Sequence, residues 1–149
     1  MTGEVQDDAT VRIADPSEAG TIFGRGFFGT IASGGLQLDR TESLYLLEMG
    51  RLEVHSERGR GVDWADLFRR ALRAEPGFGI RYLVYRDLRQ RGYVVRAGPA
   101  PVAFSVLPRG GVLHKTPARF WVETVSEREP FQLSRLQALA EKAQATKKQ

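Results

Sequence analysis

Ile80-Arg-Tyr-Leu-Val-Tyr-Arg-Asp-Leu-Arg-Gln-Arg-Gly-Tyr-Val-Val95 is the stretch whose reading decides the fold. Tyr82, Val84 or Tyr85, and Leu88 recur at helical spacing. Arg86, Arg89, Gln90 and Arg91 supply a wet face and a cationic last turn, which suits the negative end of a helix dipole. Gly92 falls where a helix stop asks for positive φ. Tyr93-Val94-Val95 then opens a strand. The spacing predicts helix, tight stop and strand in direct succession, a mixed α/β architecture.

The chain has 149 residues, enough for one ordinary domain or two very small ones. No apolar run approaches the roughly 20 residues that cross a membrane. Met1-Thr-Gly-Glu-Val-Gln-Asp-Asp8 is polar and acidic, unlike a secretory signal. There is no cysteine, which excludes disulfides and thiolate metal sites and fits a cytoplasmic protein. No cofactor or metal is expected. Net charge is +4, from 22 Lys+Arg less 18 Asp+Glu, and arginine outnumbers lysine through residues 51–109. That bias suits phosphate contacts, although the ordinary reading is a solvated basic surface.

Along the chain, residues 1–10 read as disordered. Residues 11–76 read as an N-terminal α/β domain and residues 77–149 as a second one, each a small mixed sheet with flanking helices. Val11-Arg-Ile13 predicts a strand broken at Asp15-Pro16. Gly24-Arg-Gly-Phe-Phe-Gly29 has the outline of a phosphate loop. Such a loop should follow a strand and open a helix, and here the next helix begins only near Asp39. The region Thr21–Ile31 therefore reads as short strands or hairpins with Phe23, Phe27 and Phe28 packing inward. Asp39 and Glu42 form a capping box, and Gly50 ends that helix. Leu52-Glu-Val54 reads as a strand, Arg58-Gly-Arg-Gly61 as a turn, and residues from Val62 or Asp63 to about Glu75 as a helix. Pro76-Gly77 breaks it. Strands follow at Tyr93–Arg96, Val102–Leu107 and Arg119–Val125. A last amphipathic helix covers Leu133–Lys147, with Leu133, Leu136, Leu139 or Ala140, and Ala143 inward.

The wording Tyr-x-x-Tyr-x-Asp-Leu-Arg-x-Arg-Gly-Tyr-x-Val over residues 82–95 resembles the opening of the C-terminal domain of archaeal tRNA-splicing endonucleases. Gly34 to Val54 resembles that family's N-terminal signature, a Leu-rich helix ending in Gly before a Leu-Glu-Val strand. Arg25-Gly-Phe-Phe-Gly29 resembles its Gly-aromatic-Gly element. Family members cleave pre-tRNA at intron boundaries without metal. The resemblance implies a base for the 2′-hydroxyl, an acid for the leaving 5′-oxygen, and a cation for the phosphorane charge. The family uses Tyr, His and Lys.

In this chain the Tyr position holds Leu107 and the His position holds Pro117, and neither side chain transfers a proton. Lys148 falls in the Lys position. Glu141 stands where the family has a base-stacking Arg, and family chains continue past the Lys into a further strand. His114, three residues before Pro117, is a second candidate; Tyr93 or Tyr85 would then serve as base. Both tyrosines also fit plain core packing, and His55 has less context still.

The resemblance implies a structural subunit that joins a catalytic sister subunit in an α2β2 heterotetramer acting on bulge-helix-bulge pre-tRNA. The alternatives are an active metal-independent RNA endonuclease using His114 and Lys148, and a free-standing basic RNA-binding module. Arg86, Arg89, Arg91 and Arg109 are candidate RNA contacts. Phe104, Val106, Phe120 and Trp121 are candidate interface residues.

Overall fold

A computed structural model describes residues 1–99, 102–130 and 132–146. The chain divides into two compact units, Met1–Gly79 and Ile80–Gln149.

Unit 1 holds a mixed six-stranded sheet. Its strands are β1 (Thr2–Val5), β2 (Val11–Ile13), β3 (Thr30–Ala32), β4 (Gly35–Leu38), β5 (Glu53–His55) and β6 (Gly61–Val62). They lie in the order β3-β4-β2-β1-β5-β6, with β1 parallel to β5 and the other neighbours antiparallel. The expected disordered N-terminus is thus an interior strand. Val5 is buried, and a Cβ on Gly3 would collide with Val11, so β1 is fitted closely to β2. A four-residue strand with one apolar side chain facing inward has too short a period to stand out from a polar composition.

The second correction concerns Thr21–Gly24, which belongs to a helix, α1 (Pro16–Gly24), rather than a strand. Asp15 is its N-cap and accepts from the amides of Ser17 and Glu18, and Pro16 occupies the first turn. Asp-Pro here starts a helix instead of merely ending a strand. Phe28 packs inward as expected, whereas Phe23 and Phe27 are half-buried.

Helix α2 (Arg40–Glu48) has the expected capping box, and α3 (Trp64–Ala74) starts at Asp63, whose carboxylate accepts from the Asp66 amide. The unit 1 core is Val11, Ile13, Ile22, Leu36, Leu38, Leu44, Leu46 and Leu67, all essentially inaccessible. Each such aliphatic side chain contributes about 1.5–3 kcal/mol on burial.

Helix α4 (Phe78–Gln90) opens at the end of unit 1 and carries the chain into unit 2. Gly92, at φ 90°, makes the predicted stop, with its amide donating to Arg89 O and that of Tyr93 to Leu88 O. Then come β7 (Val94–Ala97), β8 (Phe104–Leu107), β9 (Phe120–Val122) and α5 (Leu133–Ala145). The α/β class and two-sheet layout hold. The second sheet, expected to be mixed, is antiparallel in both described ladders, β7-β8 and β8-β9. Register places Val95, Val106 and Phe120 in one cross-strand row, and the Tyr85–Phe104 ring contact (5.6 Å) puts α4 over that face. Trp121 points to the opposite face, where it shares a groove with Leu136 and Leu139 of α5. That helix buries no residue fully: Leu133 and Leu136 are exposed, against the expected inward stripe, while Leu139 and Ala143 are half-buried. The stripe is present in the sequence, but α5 lies shallowly on a narrow three-stranded sheet.

Candidate functional site

Two of the positions singled out by the resemblance, Leu107 and Pro117, border or lie in the loop from Pro108 to Arg119 of unit 2, as does His114. The two ends of the loop are held together, because the Arg119 amide donates to Val106 O at 2.9 Å. A tighter turn is closed within it. The Thr116 amide donates to Val112 O at 2.8 Å, and the Val112 amide donates to Thr116 Oγ1 at 2.9 Å.

Leu107 ends β8, paired with Val94 and only 3% exposed. A proton-transfer group in this place would have to reach solvent or substrate, and Leu107 is instead part of the core. Pro117 lies exposed near the end of the loop. His114 is exposed at the tip of the Val112–Thr116 turn, with φ 66°, a conformation that a histidine adopts at some cost. Lys148 lies outside the described residues. Glu141 is exposed on α5, with Gln137 Nε2 donating to its Oε1 at 3.4 Å.

The two tyrosines proposed as alternative bases have structural surroundings. Tyr85 is 1% exposed and its hydroxyl accepts from Arg89 Nε at 3.1 Å. Tyr93 is half-buried, edge-on to Phe120 with centroids 6.5 Å apart, and beneath the Arg109 guanidinium at 5.2 Å. His55 lies in unit 1, its Nδ1 3.1 Å from Ser56 O.

Arg89 is corrected as a phosphate ligand. It is buried, and besides the Tyr85 contact its Nη2 donates to Val95 O at 3.2 Å. It ties α4 to β7. The helical period had placed it on the wet face, but it is one turn on from Tyr85 and covers that ring at 5.6 Å. Arg91 is exposed and pairs with Asp87 at 2.9 Å; Arg109 is exposed and Arg86 half-buried. Arg119, passed over in the sequence, is exposed with its guanidinium 5.3 Å from the Phe120 ring centroid.

Phe104 and Val106 are likewise corrected as interface residues. Both are 1% exposed, on the sheet face that α4 covers. Phe120 and Trp121 are half-buried. A groove of about 430 Å³ runs between the end of α4 and β9, lined among others by Leu88, Arg91, Tyr93 and Phe120. A second, of about 270 Å³, separates β9 from α5. Among the described residues β9 pairs only with β8. No group of three or more His, Cys, Asp or Glu among the described residues could hold a metal ion, and no helix there is long and apolar enough to cross a membrane.

Both units match known domains. Residues 1–68 match the tRNA intron endonuclease N-terminal domain, and residues 78–149 match the tRNA intron endonuclease catalytic C-terminal domain. The chain belongs to the tRNA intron endonuclease family. It is 36% identical over 125 residues to the tRNA-splicing endonuclease of Methanosarcina acetivorans, covering 84% of this chain and 35% of that protein. With the Methanococcoides burtonii tRNA-splicing endonuclease it shares 33% over 149 residues, all of this chain and 41% of that protein. The Methanothermobacter thermautotrophicus tRNA-splicing endonuclease is 33% identical over 123 residues, 82% of this chain and 71% of that protein. The chain thus spans well under half the length of the first two relatives.

Proposed function

We propose that this chain is a non-catalytic structural subunit of a tRNA-splicing endonuclease, working with a catalytic sister subunit to excise introns from pre-tRNA. The observation that carries this reading is Leu107, buried at the end of β8 where the family places its Tyr. Pro117 in the His position supports it. With neither group able to move a proton, in-line attack by the 2′-hydroxyl lacks both its base and its acid.

An assembly role has its own support. Phe120 and Trp121 are only half covered, β9 has an unpaired edge among the described residues, and Leu133, Leu136 and Val125 are exposed. Apolar side chains beside an open strand edge favour a partner. The same features fit a heterotetramer in which this chain holds two catalytic subunits at the spacing of a bulge-helix-bulge RNA.

The test mixes this chain with a family member whose Tyr, His and Lys are intact. Co-elution in size exclusion and faster cleavage of a bulge-helix-bulge pre-tRNA are expected, with no cleavage by this chain alone. Absence of both complex and stimulation would sink the reading.

A further inference from the structure

The turn joining β5 to β6 is Ser56-Glu-Arg-Gly-Arg60, with Gly59 at φ 79°. It is fixed by its own hydrogen bonds. The Ser56 amide donates to Arg60 O at 2.7 Å, the Gly59 amide to Ser56 O at 2.8 Å, and the Arg60 amide to Ser56 Oγ at 3.1 Å. An open cavity of about 530 Å³ in unit 1 is lined by Ser56, Arg58, Gly59, Arg60 and Arg70. Neither a carboxylate nor an apolar side chain belongs to that lining; Glu57 lies in the turn without lining the cavity. Arg70, on α3, is oriented by Asp66 one helical turn earlier, through Nε and Nη2 at 3.3 Å each. Arg58 and Arg60 make no ion pair among the described residues. Three guanidiniums on one concave wall, two of them uncompensated, repel one another. An anion seated among them relieves that repulsion.

We propose that this bowl is a binding site for the phosphodiester backbone of RNA. The inference goes beyond the subunit reading, since it assigns a contact to unit 1 and needs neither cleavage nor a partner chain. Guanidinium forks and a serine hydroxyl are the donors that contact phosphate oxygens. The wall lacks the apolar anchors that form the centre of a protein interface, which favours a nucleic-acid backbone over an acidic protein segment. Because the contacts are to phosphate, binding is independent of base sequence and falls steeply with salt.

The experiment uses the full chain, a fluorescein-labelled RNA hairpin without bulges, and anisotropy across a salt series. Arg58→Ala with Arg60→Ala removes two exposed charges, so melting temperature should not change. Counterion release for two contacts predicts an affinity loss of roughly 30-fold at about 0.15 M salt and a salt slope lower by about 1.8. The control, Arg128→Ala with Lys142→Ala, removes the same charge from exposed positions of unit 2 and should change affinity far less. Equal loss from both pairs, or no RNA binding by the wild-type chain, overturns the proposal. So does RNA affinity that survives the Arg58/Arg60 change while binding of a poly-glutamate peptide is lost, which would give the bowl to an acidic protein partner. Failure to form a complex with a catalytic subunit would refute the subunit reading and leave this measurement untouched.

Discussion

Glu42 joins two segments that the sequence presents separately, and its removal should be costly. It is 5% exposed at the third position of α2. Its Oε1 accepts from the Asp39 amide at 3.1 Å, closing the capping box, and its Oε2 accepts from the Gly29 amide at 2.6 Å. Gly29 sits at φ 78°, where a Cβ would meet Leu36 and the Gln37 carbonyl, so its amide has little freedom to find another acceptor. A hydrogen bond to a charged group is worth about 1.5–3 kcal/mol net. Asp39 is half-buried and its amide can turn partly to water, which puts the expected loss for Glu42→Ala at about 3 kcal/mol. For a unit of this size that lowers the melting temperature by roughly 12–24 °C. Glu42→Gln keeps one acceptor and should lose about half as much. Unit 1 can be followed by Trp64 fluorescence in a Trp121→Phe background, because the chain has 2 tryptophans. Amide hydrogen exchange should show Gly29 losing protection in Glu42→Ala. A loss below about 1 kcal/mol with Gly29 still protected would refute the reasoning, given the usual value of such bonds.

Three further outcomes are expected. Arg89→Lys keeps the charge but cannot reach both the Tyr85 hydroxyl and Val95 O, so unit 2 should lose about 2 kcal/mol in urea unfolding while RNA affinity stays unchanged. Leu107→Tyr with Pro117→His should not give strong metal-free cleavage by the lone chain, and the added hydroxyphenyl should cost about 1–3 kcal/mol by overpacking; robust cleavage would mean the rest of the site is intact. The Thr10 hydroxyl, its nearest hydrogen-bond donor, holds the Asp8 carboxyl below its usual range, with the Thr10 amide and Arg40 adding to this against partial burial. A lowered folded-state pKa gives stability that is present above the ordinary carboxylate range and lost as pH falls through the folded value. Thr10→Val should therefore lower the melting temperature slightly at neutral pH and not in strong acid, and a pH-independent difference would contradict this.

The sequence was most readable where one residue type does one local task. Asp39 and Glu42 announce a capping box, and Gly92 announces the stop between α4 and β7; both appear where expected. The Gly24–Gly29 stretch failed the context test for a phosphate loop, and the structure shows it ending a helix rather than opening one. Less was readable where packing decides. Asp15-Pro16 is ambiguous in isolation, since the same pair can close a strand or cap a helix. Arg89 sits on a polar-looking face, and only the fold shows that β7 comes close enough for its guanidinium to be enclosed. Phe104 and Phe120 look alike as aromatic strand residues. The first lies under α4 and the second on β9, at the sheet margin, so only one stays half open. Leu107 and Pro117 were assigned to the Tyr and His positions by resemblance alone, since nothing in their local spacing marks them as other than an ordinary strand end and loop.

The parallel pairing of β1 with β5 also sets an order of events for a chain made from its N-terminus. Thr2 lies opposite Glu53, about 50 residues later. The β1–β2 ribbon can close as soon as both strands emerge, whereas the far side of β1 has no partner until β5 leaves the ribosome. At about 5–20 residues per second that interval lasts roughly 3–10 s. Through that time β1 is a bare edge, open to pairing with a neighbouring nascent chain. Four residues of length, a glycine at the second and a carboxylate at Glu4 make it a poor template for such pairing, so the brevity that conceals β1 in the sequence also protects it during synthesis.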